Sequence, residues 1–363
     1  MGDTLSFTVE RSTVPVQPEQ RAAILADPGF GQYFTDHLAL AYWTPERSWH
    51  ESQIAPYAPL PLDPATATLH YAQEVFEGLK AYRHPDGSIW AFRPEVNAAR
   101  FQSSARRLAL PELPTGDFLA AITALVDTDR EWVPPSGGEK SLYLRPFMFA
   151  SEVFLGVRAA RHVTFCLIAS PAGAYFGGGV RPVTIWLSEE FMRAAPGGTG
   201  AAKCGGNYAA SLVAQQEAIA MGCDQVAFVD AVEQRWIEEL GGMNLFFVHD
   251  DGTLVTPQLT DTILEGVTRH SILTLAKAHG HAVEERRVGV AEWRDGVRSG
   301  RVTEVFACGT AAVVTPVSTL RWRGGEVSTG DQPGPVTAAI RQALVDVQYG
   351  RAQDAYGWMH RLA

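Results

Sequence analysis

The sequence lacks several features that mark other classes of protein. It has four cysteines, Cys166, Cys204, Cys223 and Cys308, which lie far apart and form no C-x-x-C pair. This spacing offers neither a zinc site nor a dithiol redox motif, so we expect free thiols in a reducing compartment. No run of about eighteen apolar residues occurs, and the polar residues 1–11 do not have the pattern of a signal peptide. By elimination, we predict a cytoplasmic protein.

An excess of positive charge is also missing. Thirty lysine and arginine residues stand against forty aspartate and glutamate residues, which gives a formal net charge of −10. Such a chain repels nucleic acid phosphates and anionic membrane surfaces unless a local basic patch intervenes. The short clusters at 106–107 and 285–287 are typical of a solvated surface. We therefore expect neither a nucleic acid nor a membrane as a partner.

Length and composition indicate a folded protein with more than one domain. The chain has 363 residues, which is longer than one hydrophobic core usually supports. Hydrophobic residues make up 46% and charged residues 19%, the balance of an ordinary globular protein. A glycine-rich stretch at 171–179 interrupts all periodicity, so it is the candidate connection between domains.

Strands and helices interleave without the regular cadence of a doubly wound sheet, so we expect α+β domains. In the first half, the patterns predict strands at 68–82, 88–92, 141–149 and 162–170, and helices at 97–108 and from Phe118 to before Pro134. In the second half, they predict helices at 207–221, 268–278 and 335–350, and strands at 225–230 and 243–248. We place Leu212 and Ile219 along one side of the helix at 207–221.

One lysine is surrounded by small residues. Within 197–208, Lys203 stands among residues that are mostly glycine or alanine. Small neighbours let a flat aromatic ligand approach the backbone, and they put no carboxylate beside the amine to hold it charged. Such a lysine can be desolvated, lose its proton near neutral pH and attack a carbonyl. A flexible surface loop with an incidental lysine is the alternative, so Lys203 needs support from elsewhere.

An acidic pair in the second half gives that support. Glu238 and Glu239 are adjacent on a short predicted strand, where side chains alternate, so one points inward if the other faces water. An inward carboxylate beside a protonated pyridine nitrogen keeps that nitrogen positive, as an electron-sink cofactor requires. Glu239 is the candidate for this role. Two exposed acids at a turn are the alternative on local sequence.

Two segments have the pattern of phosphate sites. Residues 264–268 lead into a predicted helix, whose first backbone N–H groups and Thr268 hydroxyl would face an anion. Thr268 as a plain helix N-cap is an alternative that is compatible with this role. The second segment, 307–312, is a glycine turn that can present the Thr310 hydroxyl and consecutive N–H groups to an oxyanion. Many connections between strands look similar to it.

Together these segments closely resemble the branched-chain aminotransferases, members of the fold-type IV class of pyridoxal-5′-phosphate (PLP) enzymes. The resemblance runs over nearly the whole chain, from about His70 to Gly350. Several independent motifs in the right order make an accidental match improbable, although each alone is weak. The most specific pieces are 92–94 with Asn97 and Arg100, 141–146, 203–208 and 239–246.

The resemblance implies a fold, a reaction and an assembly. The fold is a two-domain, α+β, fold-type IV enzyme with a smaller N-terminal α/β domain at 1–174, an interdomain loop at 175–187, and a larger PLP-binding domain at 188–363 with a β-barrel-like core. The reaction is the reversible transamination of L-leucine, L-isoleucine and L-valine with 2-oxoglutarate, giving branched-chain 2-oxo acids and L-glutamate. A homodimer is implied because the family contributes Tyr71 and the loop at 155–157 across the dimer interface.

The resemblance also implies roles toward the cofactor. Lys203 matches the Schiff-base lysine, which would also act as general base and acid at the substrate's α-carbon. Tyr208 matches the donor to the phenolic oxygen of PLP, and Glu239 matches the partner of its pyridine nitrogen. The phosphate contacts match Arg100, as a charge-assisted donor, Val267, Thr268 and Thr310. For Arg100, a salt bridge on the helix surface is the alternative.

For the substrate, the resemblance implies an apolar pocket that must also accept the second carboxylate of glutamate. Arg145 matches the residue that would hold this carboxylate, and backbone N–H groups of Thr310 and Ala311 would take the α-carboxylate. The positions that line this pocket match Tyr71, Phe76, Tyr143, Leu155, Val157 and Tyr175. The alternative is that these side chains belong to the ordinary hydrophobic core.

Two departures from the family pattern stand out. Mammalian members have a redox C-x-x-C after the second phosphate turn, whereas this chain has Ala-Val-Val-Thr at 312–315, so we expect no thiol regulation of that kind. Gly242 stands where those members have threonine, which removes one hydroxyl near the site.

Two other functions compete with this interpretation. Another fold-type IV enzyme, such as a D-amino-acid aminotransferase or the lyase that acts on aminodeoxychorismate, would share Lys203 and Glu239 but differ in pocket polarity. A PLP-binding protein without turnover is the second. The apolar residues Phe76, Leu155 and Val157 favour branched-chain substrates.

Overall fold

The computed structural model describes residues 4–173 and 181–363, which pack as two compact units. The first unit contains residues 4–173 together with Ala202–Gly205 and Val347–Ala363. The second contains residues 181–201 and Gly206–Asp346. The short segment that carries Lys203 therefore packs with the N-terminal residues, although it comes late in the sequence. The domain limits at 174, 175–187 and 188 stay a prediction, and most of the glycine-rich stretch at 171–179 lies outside the described residues.

Amphipathic segments with few β-branched runs form the helices. In α3, for example, Pro94 occupies the first turn, where its missing N–H is not needed, and Ala98, Phe101 and Ala105 recur along one buried side. Within the described residues, the helices are α1 (Pro18–Ala26), α2 (Ala67–Tyr71), α3 (Pro94–Arg107), α4 (Thr115–Thr128), α5 (Gly205–Ala220), α6 (Val267–Ala278), α7 (Val290–Ser299) and α8 (Pro335–Gln348), with a 3₁₀ turn at Arg130–Trp132. None of them is long and apolar enough to cross a membrane.

The first unit is built on a nine-stranded sheet. Its strands are β1 (Thr8–Val9), β2 (His37–Thr44), β3 (Ser48–Pro56), β4 (Glu74–Phe76), β5 (Leu79–Arg83), β6 (Ile89–Phe92), β7 (Ser141–Ala150), β8 (Val163–Ala172) and, last in the chain, β19 (Met359–Arg361). The order is β1-β3-β2-β8-β7-β5-β6-β19, and β4 also pairs with β7. All pairs are antiparallel except β1 with β3. Phe101 of α3 and Phe118 of α4 pack in the same core as Phe165 of β8.

The second unit contains a ten-stranded mixed sheet. Its strands are β9 (Val183–Leu187), β10 (Gln225–Val229), β11 (Trp236–Leu240), β12 (Asn244–His249), β13 (Leu254–Pro257), β14 (Val283–Arg286), β15 (Val288–Gly289), β16 (Val302–Gly309), β17 (Val313–Trp322) and β18 (Gly325–Ser328). The order is β14-β13-β12-β16-β17-β9-β10-β11-β15, with β18 beside β17. The α+β class is confirmed. The predicted barrel-like core is instead an open sheet, since β14 and β15 lie at its two ends and the described strands close no barrel.

Most predicted elements are confirmed, but one assignment is wrong. Residues 68–82 do not form one strand: they contain most of α2, then β4 and most of β5. Ala72 ends α2 in the left-handed conformation, with φ of 48°, and β4 and β5 each pair separately with β7. On α5, Leu212 and Ile219 are exposed, because the small residues Ala214 and Ala218 form the buried side. The hairpin of β2 and β3 and helix α7 were not predicted at all.

Candidate active site

Lys203 lies in the first unit on a backbone that is fixed on both sides. Its neighbours Ala202 and Cys204 are buried in the core of that unit. The Lys203 N–H donates to Ser104 Oγ at 2.9 Å, and the Lys203 carbonyl accepts from the Phe76 N–H at 3.0 Å. The alternative of a flexible surface loop is therefore wrong.

A half-buried acid, Glu74, holds the last residue of this segment. The Gly205 N–H donates to a carboxylate oxygen of Glu74. Burial raises the pKa of Glu74, although this hydrogen bond and the charge of Arg145 act in the opposite direction. An added Cβ at Gly205 would overlap Glu74 Oε1, so any larger residue at 205 would have to displace this carboxylate.

The Lys203 amine lies against an aromatic ring and close to a carboxylate. Its Nζ is 4.7 Å from the centre of the Phe76 ring. Burial alone would raise the pKa of Glu77, but the charges of Arg100 and Lys203 bring that pKa below its usual value. The prediction that no carboxylate lies near the amine is thus wrong, because Glu77 comes from a distant part of the sequence.

Glu77 is the centre of a buried polar cluster. Arg100 on α3 donates to Glu77 through Nε at 2.7 Å and through Nη2 at 2.9 Å. Asn97 Nδ2 donates to the same carboxylate at 2.8 Å. Because Arg100 is about 10% exposed and Glu77 is fully buried, the helix-surface salt bridge is the wrong alternative for Arg100. Glu77 and Asn97 were not predicted as site residues. The signal available for Glu77 was that it is a single acid beside the apolar strand β5.

Three predicted substrate residues lie together in the first unit. The Arg145 guanidinium is 4.7 Å from the centre of the Phe76 ring and 5.3 Å from that of Tyr143. Arg145 Nη2 donates to the Tyr143 hydroxyl at 2.9 Å, and its buried Nε has no hydrogen-bond partner among the described residues. Gly78 leaves room for this cluster, since a Cβ there would overlap the Tyr143 hydroxyl.

Three other predicted pocket residues, Tyr71, Leu155 and Val157, are exposed. The Tyr71 hydroxyl donates to the Leu155 carbonyl, so the structure brings these two residues together. Leu155 is 64% exposed and Val157 is 88% exposed, which makes ordinary core the wrong alternative for both. Tyr175 lies outside the described residues.

Both acids of the predicted pair in the second unit are buried. Glu238 is 6% exposed and Glu239 is 3% exposed, so the expectation that one of them faces water is wrong. Glu239 Oε1 lies 2.6 Å from Arg193 Nη2 in an ion pair and accepts a hydrogen bond from the Leu264 N–H at 2.9 Å. Its Oε2 accepts from Asn244 Nδ2 at 3.1 Å. Two hydrogen bonds and one countercharge therefore hold this carboxylate.

Arg193 is a site residue that the sequence did not reveal. Its guanidinium is almost fully buried and also donates to the carbonyls of Gly200 and Thr262. A lone charge before the Ala-Ala-Pro at 194–196 was the available signal. A buried arginine paired with a buried carboxylate holds that carboxylate in a set orientation.

The N-terminus of α6 lies beside the Glu239 cluster. The helix begins at Val267 after the N-cap Gly266, and among the described residues no side chain caps this end. Thr268 is the second residue of the helix and is buried, so its alternative role as a plain N-cap is wrong. Such a helix end, with its partial positive charge, suits an anion.

Thr310 and Ala311 lie in the connection between β16 and β17, where both are half-buried. The connection ends at Val313, which has a φ of 60°. Tyr208 is half-buried on α5. The predicted turn at 307–312 is confirmed as a turn between strands, whereas the ligands of Thr310, Ala311 and Tyr208 stay predictions.

Two glycines in the second unit allow a matched test. A Cβ at Gly266 would overlap Asn244 Oδ1, whereas a Cβ at Gly242 would lie 3.6 Å from Tyr208 Cε1, an ordinary contact. We expect Gly266→Ala to displace Asn244 from Glu239, lower the free energy of unfolding by about 1–3 kcal/mol and weaken cofactor binding. Gly242→Ala should leave both unchanged. Denaturant unfolding and PLP titration check this, and similar results for the two variants would contradict it.

Comparison with known proteins identifies the family. The sequence profile described as amino-transferase class IV matches residues 74–320. The chain belongs to the class IV aminotransferases. It is 59% identical over 361 residues to a probable branched-chain-amino-acid aminotransferase of Streptomyces coelicolor, covering 99% of each chain. It is 56% identical over 362 residues to the branched-chain-amino-acid aminotransferase of Mycolicibacterium smegmatis, covering 99% of this chain and 98% of that one.

A solved structure shows the same fold. It is the branched-chain amino acid aminotransferase of the organism abbreviated T.th., complexed with N-(5′-phosphopyridoxyl)-L-glutamate. The TM-score is 0.73 at 30% identity, with 90% of this chain and 99% of that chain covered. The predicted fold-type IV class is confirmed, and the chain is a branched-chain-amino-acid aminotransferase by enzyme class.

The family implies PLP, and the residues of each unit fit this cofactor. In the first unit, the Lys203 amine is half-buried on a fixed backbone, as a carbonyl-binding lysine requires. In the second unit, two hydrogen bonds and the ion pair with Arg193 hold the Glu239 carboxylate, which suits a protonated ring nitrogen. The nearby N-terminus of α6, which no side chain caps among the described residues, suits a phosphate.

Proposed function

We propose that the enzyme catalyses reversible transamination between L-leucine, L-isoleucine or L-valine and 2-oxoglutarate, with PLP attached to Lys203. The setting of Lys203 carries this proposal: its backbone is anchored by Ser104 and Phe76, and its amine lies against the Phe76 ring. The names of the relatives support branched-chain substrates. The phosphopyridoxyl-L-glutamate bound by the T.th. enzyme supports glutamate and 2-oxoglutarate as the second pair.

The remaining cofactor contacts are proposed residue by residue. When bound, PLP supplies an electron sink for the bond that breaks at the substrate's α-carbon. Lys203 Nζ would take the proton from this carbon and return one in the reverse direction. Glu239 would hold the proton on the pyridine nitrogen, and Tyr208 would donate to the phenolic oxygen. The proposed phosphate contacts are Arg100, Val267, Thr268 and Thr310.

The cluster of Phe76, Tyr143 and Arg145 supports a pocket that accepts two kinds of side chain. The ring faces offer apolar surface to a branched chain. The Arg145 guanidinium, whose Nε has no partner among the described residues, offers donors to the second carboxylate of glutamate. The backbone N–H groups of Thr310 and Ala311 are proposed for the α-carboxylate.

We also propose a homodimer in which Tyr71, Leu155 and Val157 serve the neighbouring subunit's site. The support is their exposure on the surface of the first unit, where large apolar side chains favour a protein partner. Tyr175 is proposed for the same pocket from the family resemblance. A cytoplasmic location stays a prediction from the sequence.

Borohydride reduction followed by peptide mapping tests the attachment of PLP. Reduction fixes the cofactor on its lysine and blocks trypsin there. A label on Lys203 therefore produces a peptide that spans 194–235, whereas an unmodified Lys203 produces 194–203 and 204–235. We expect the long peptide. A label on any other lysine, or none, would overturn the proposed attachment.

A substrate panel separates this reaction from its rivals. The visible absorption of the purified enzyme should change on addition of L-leucine, L-isoleucine or L-valine, and return on addition of 2-oxoglutarate. A response to D-alanine or to aminodeoxychorismate instead would favour another fold-type IV enzyme. A bound chromophore that responds to none of them would indicate binding without turnover.

A further inference from the structure

One face of the first sheet places an acid beside the proposed substrate residues. Strands β4 and β7 are antiparallel neighbours, with Phe76 directly opposite Phe147. Paired residues point to the same side of a sheet, and residues two apart along a strand share that side. Glu74, two residues before Phe76, and Arg145, two residues before Phe147, therefore lie on one face. Val75 points the other way, into the core of the unit.

Two cations and one acid meet on this face. Lys203 Nζ and the Arg145 guanidinium each lie 4.7 Å from the centre of the Phe76 ring. Between them, β4 and β7 contain a single acid, Glu74, which is half-buried. Its carboxylate accepts from the Gly205 N–H, and the charge of Arg145 acts on it. Glu74 is thus the carboxylate that balances positive charge on this face of the sheet.

This balance leaves the Arg145 guanidinium available to a ligand. Among the described residues, no carboxylate forms an ion pair with Arg145, and its hydrogen bond goes to the Tyr143 hydroxyl. Charges in a partly buried setting act on each other over several ångströms without contact. Glu74 therefore lowers the positive potential around Arg145 and does not occupy its N–H donors.

A pocket that accepts two kinds of 2-oxo acid is sensitive to such a charge. A branched apolar side chain beside an uncompensated, half-buried cation leaves that cation poorly solvated, which opposes binding. The second carboxylate of 2-oxoglutarate brings its own negative charge, which Arg145 attracts and Glu74 repels. A negative charge at position 74 thus favours the branched acceptor relative to the dicarboxylate.

We propose that Glu74 is a specificity-determining residue, which sets the preference of the enzyme between branched-chain 2-oxo acids and 2-oxoglutarate. It acts through its charge, on the sheet face that it shares with Arg145. The inference rests on the proposed function, because it takes Arg145 as the residue that holds the second carboxylate. The hydrogen bond from Gly205 is a separate, structural contribution of the same side chain.

Glu74→Gln in the holoenzyme tests this role, with L-valine as the common donor. Glutamine removes the charge but keeps an oxygen for the Gly205 N–H. We expect kcat/KM for 2-oxoglutarate to rise about three- to tenfold through a lower KM, because a nearby repulsion is lost. The value for 4-methyl-2-oxopentanoate should stay equal or fall. Glu112→Gln is the matched control, since Glu112 is an exposed partner of Arg106, and it should leave both values unchanged.

Calorimetric binding of two unreactive acids gives a readout that does not depend on turnover. Glutarate carries a second carboxylate, whereas 4-methylpentanoate carries a branched chain. Glu74→Gln should bind glutarate about three- to tenfold more tightly than the wild type does, and 4-methylpentanoate no more tightly. A loss of structure would weaken the binding of both acids, so it cannot imitate this result.

Glu74→Asp keeps the charge and should retain the wild-type preference between the two acceptors, even where its shorter side chain lowers both rates. An equal change for both acceptors in Glu74→Gln, or no change, would overturn the inference and leave the proposed reaction standing. Loss of the preference in Glu74→Asp would also overturn it, and decides the question where Glu74→Gln does not fold. A wild type that turns over neither acceptor would overturn the proposed function and, with it, this inference.

Discussion

Lys203→Ala is expected to lower the turnover of L-leucine with 2-oxoglutarate by about 10⁴-fold or more, because one amine both attaches the cofactor and moves the proton. The variant should fold normally. Its backbone contacts with Ser104 and Phe76 involve main-chain atoms of residue 203, and the burial of Ala202 and Cys204 does not depend on the lysine side chain. Steady-state kinetics and denaturant unfolding measure the two effects separately.

Lys277→Ala provides the control for this experiment. Lys277 is exposed in the last turn of α6, so its loss should leave turnover unchanged. Turnover of Lys203→Ala at the wild-type rate would end the proposed mechanism. Loss of activity accompanied by unfolding would instead show that Lys203 is needed for the fold of the first unit.

Local sequence revealed the residues whose setting is itself local. Lys203 stands among glycine and alanine, and Thr268 opens a helix shortly after a glycine, so neighbouring residues were enough to make both of them candidates, whereas Val267 came from the family resemblance. Arg193 and Glu77 act through partners that are distant in sequence, namely Glu239 for Arg193 and Arg100 for Glu77. No periodicity or spacing carries that information.

The errors in the fold have a similar origin. The alternation rule for Glu238 and Glu239 assumed a strand with one face in water, whereas β11 lies between β10 and β15 and is buried over Ile237 to Leu240. At 68–82, apolar residues recur without a proline, a pattern that predicts one strand. The break comes from Ala72, whose left-handed conformation could not be inferred from a residue that favours helices.

The largest effect on stability is expected from the pair of Arg193 and Glu239. Their side chains are each about 4% exposed and lie 2.6 Å apart. Arg193→Met leaves the Glu239 carboxylate buried without its countercharge, although it keeps its hydrogen bonds from Asn244 and the Leu264 N–H. We expect the free energy of unfolding to fall by about 3–5 kcal/mol, since removing one partner of a buried pair strands the other charge. Denaturant unfolding at constant cofactor concentration measures it.

The double variant Arg193→Met with Glu239→Gln separates stability from activity. Replacing the stranded carboxylate by an amide should restore part of the lost stability, and the coupling energy of the two positions should be about 0.5–3 kcal/mol. Activity should stay low, because no carboxylate remains to hold a proton on the pyridine nitrogen. The exposed pair of Arg161 and Glu46 is the control, and the same two changes there should leave the unfolding midpoint where it was. Strictly additive losses at 193 and 239 would mean that the ion pair does not stabilise the second unit, and restored activity would remove Glu239 from the proposed site.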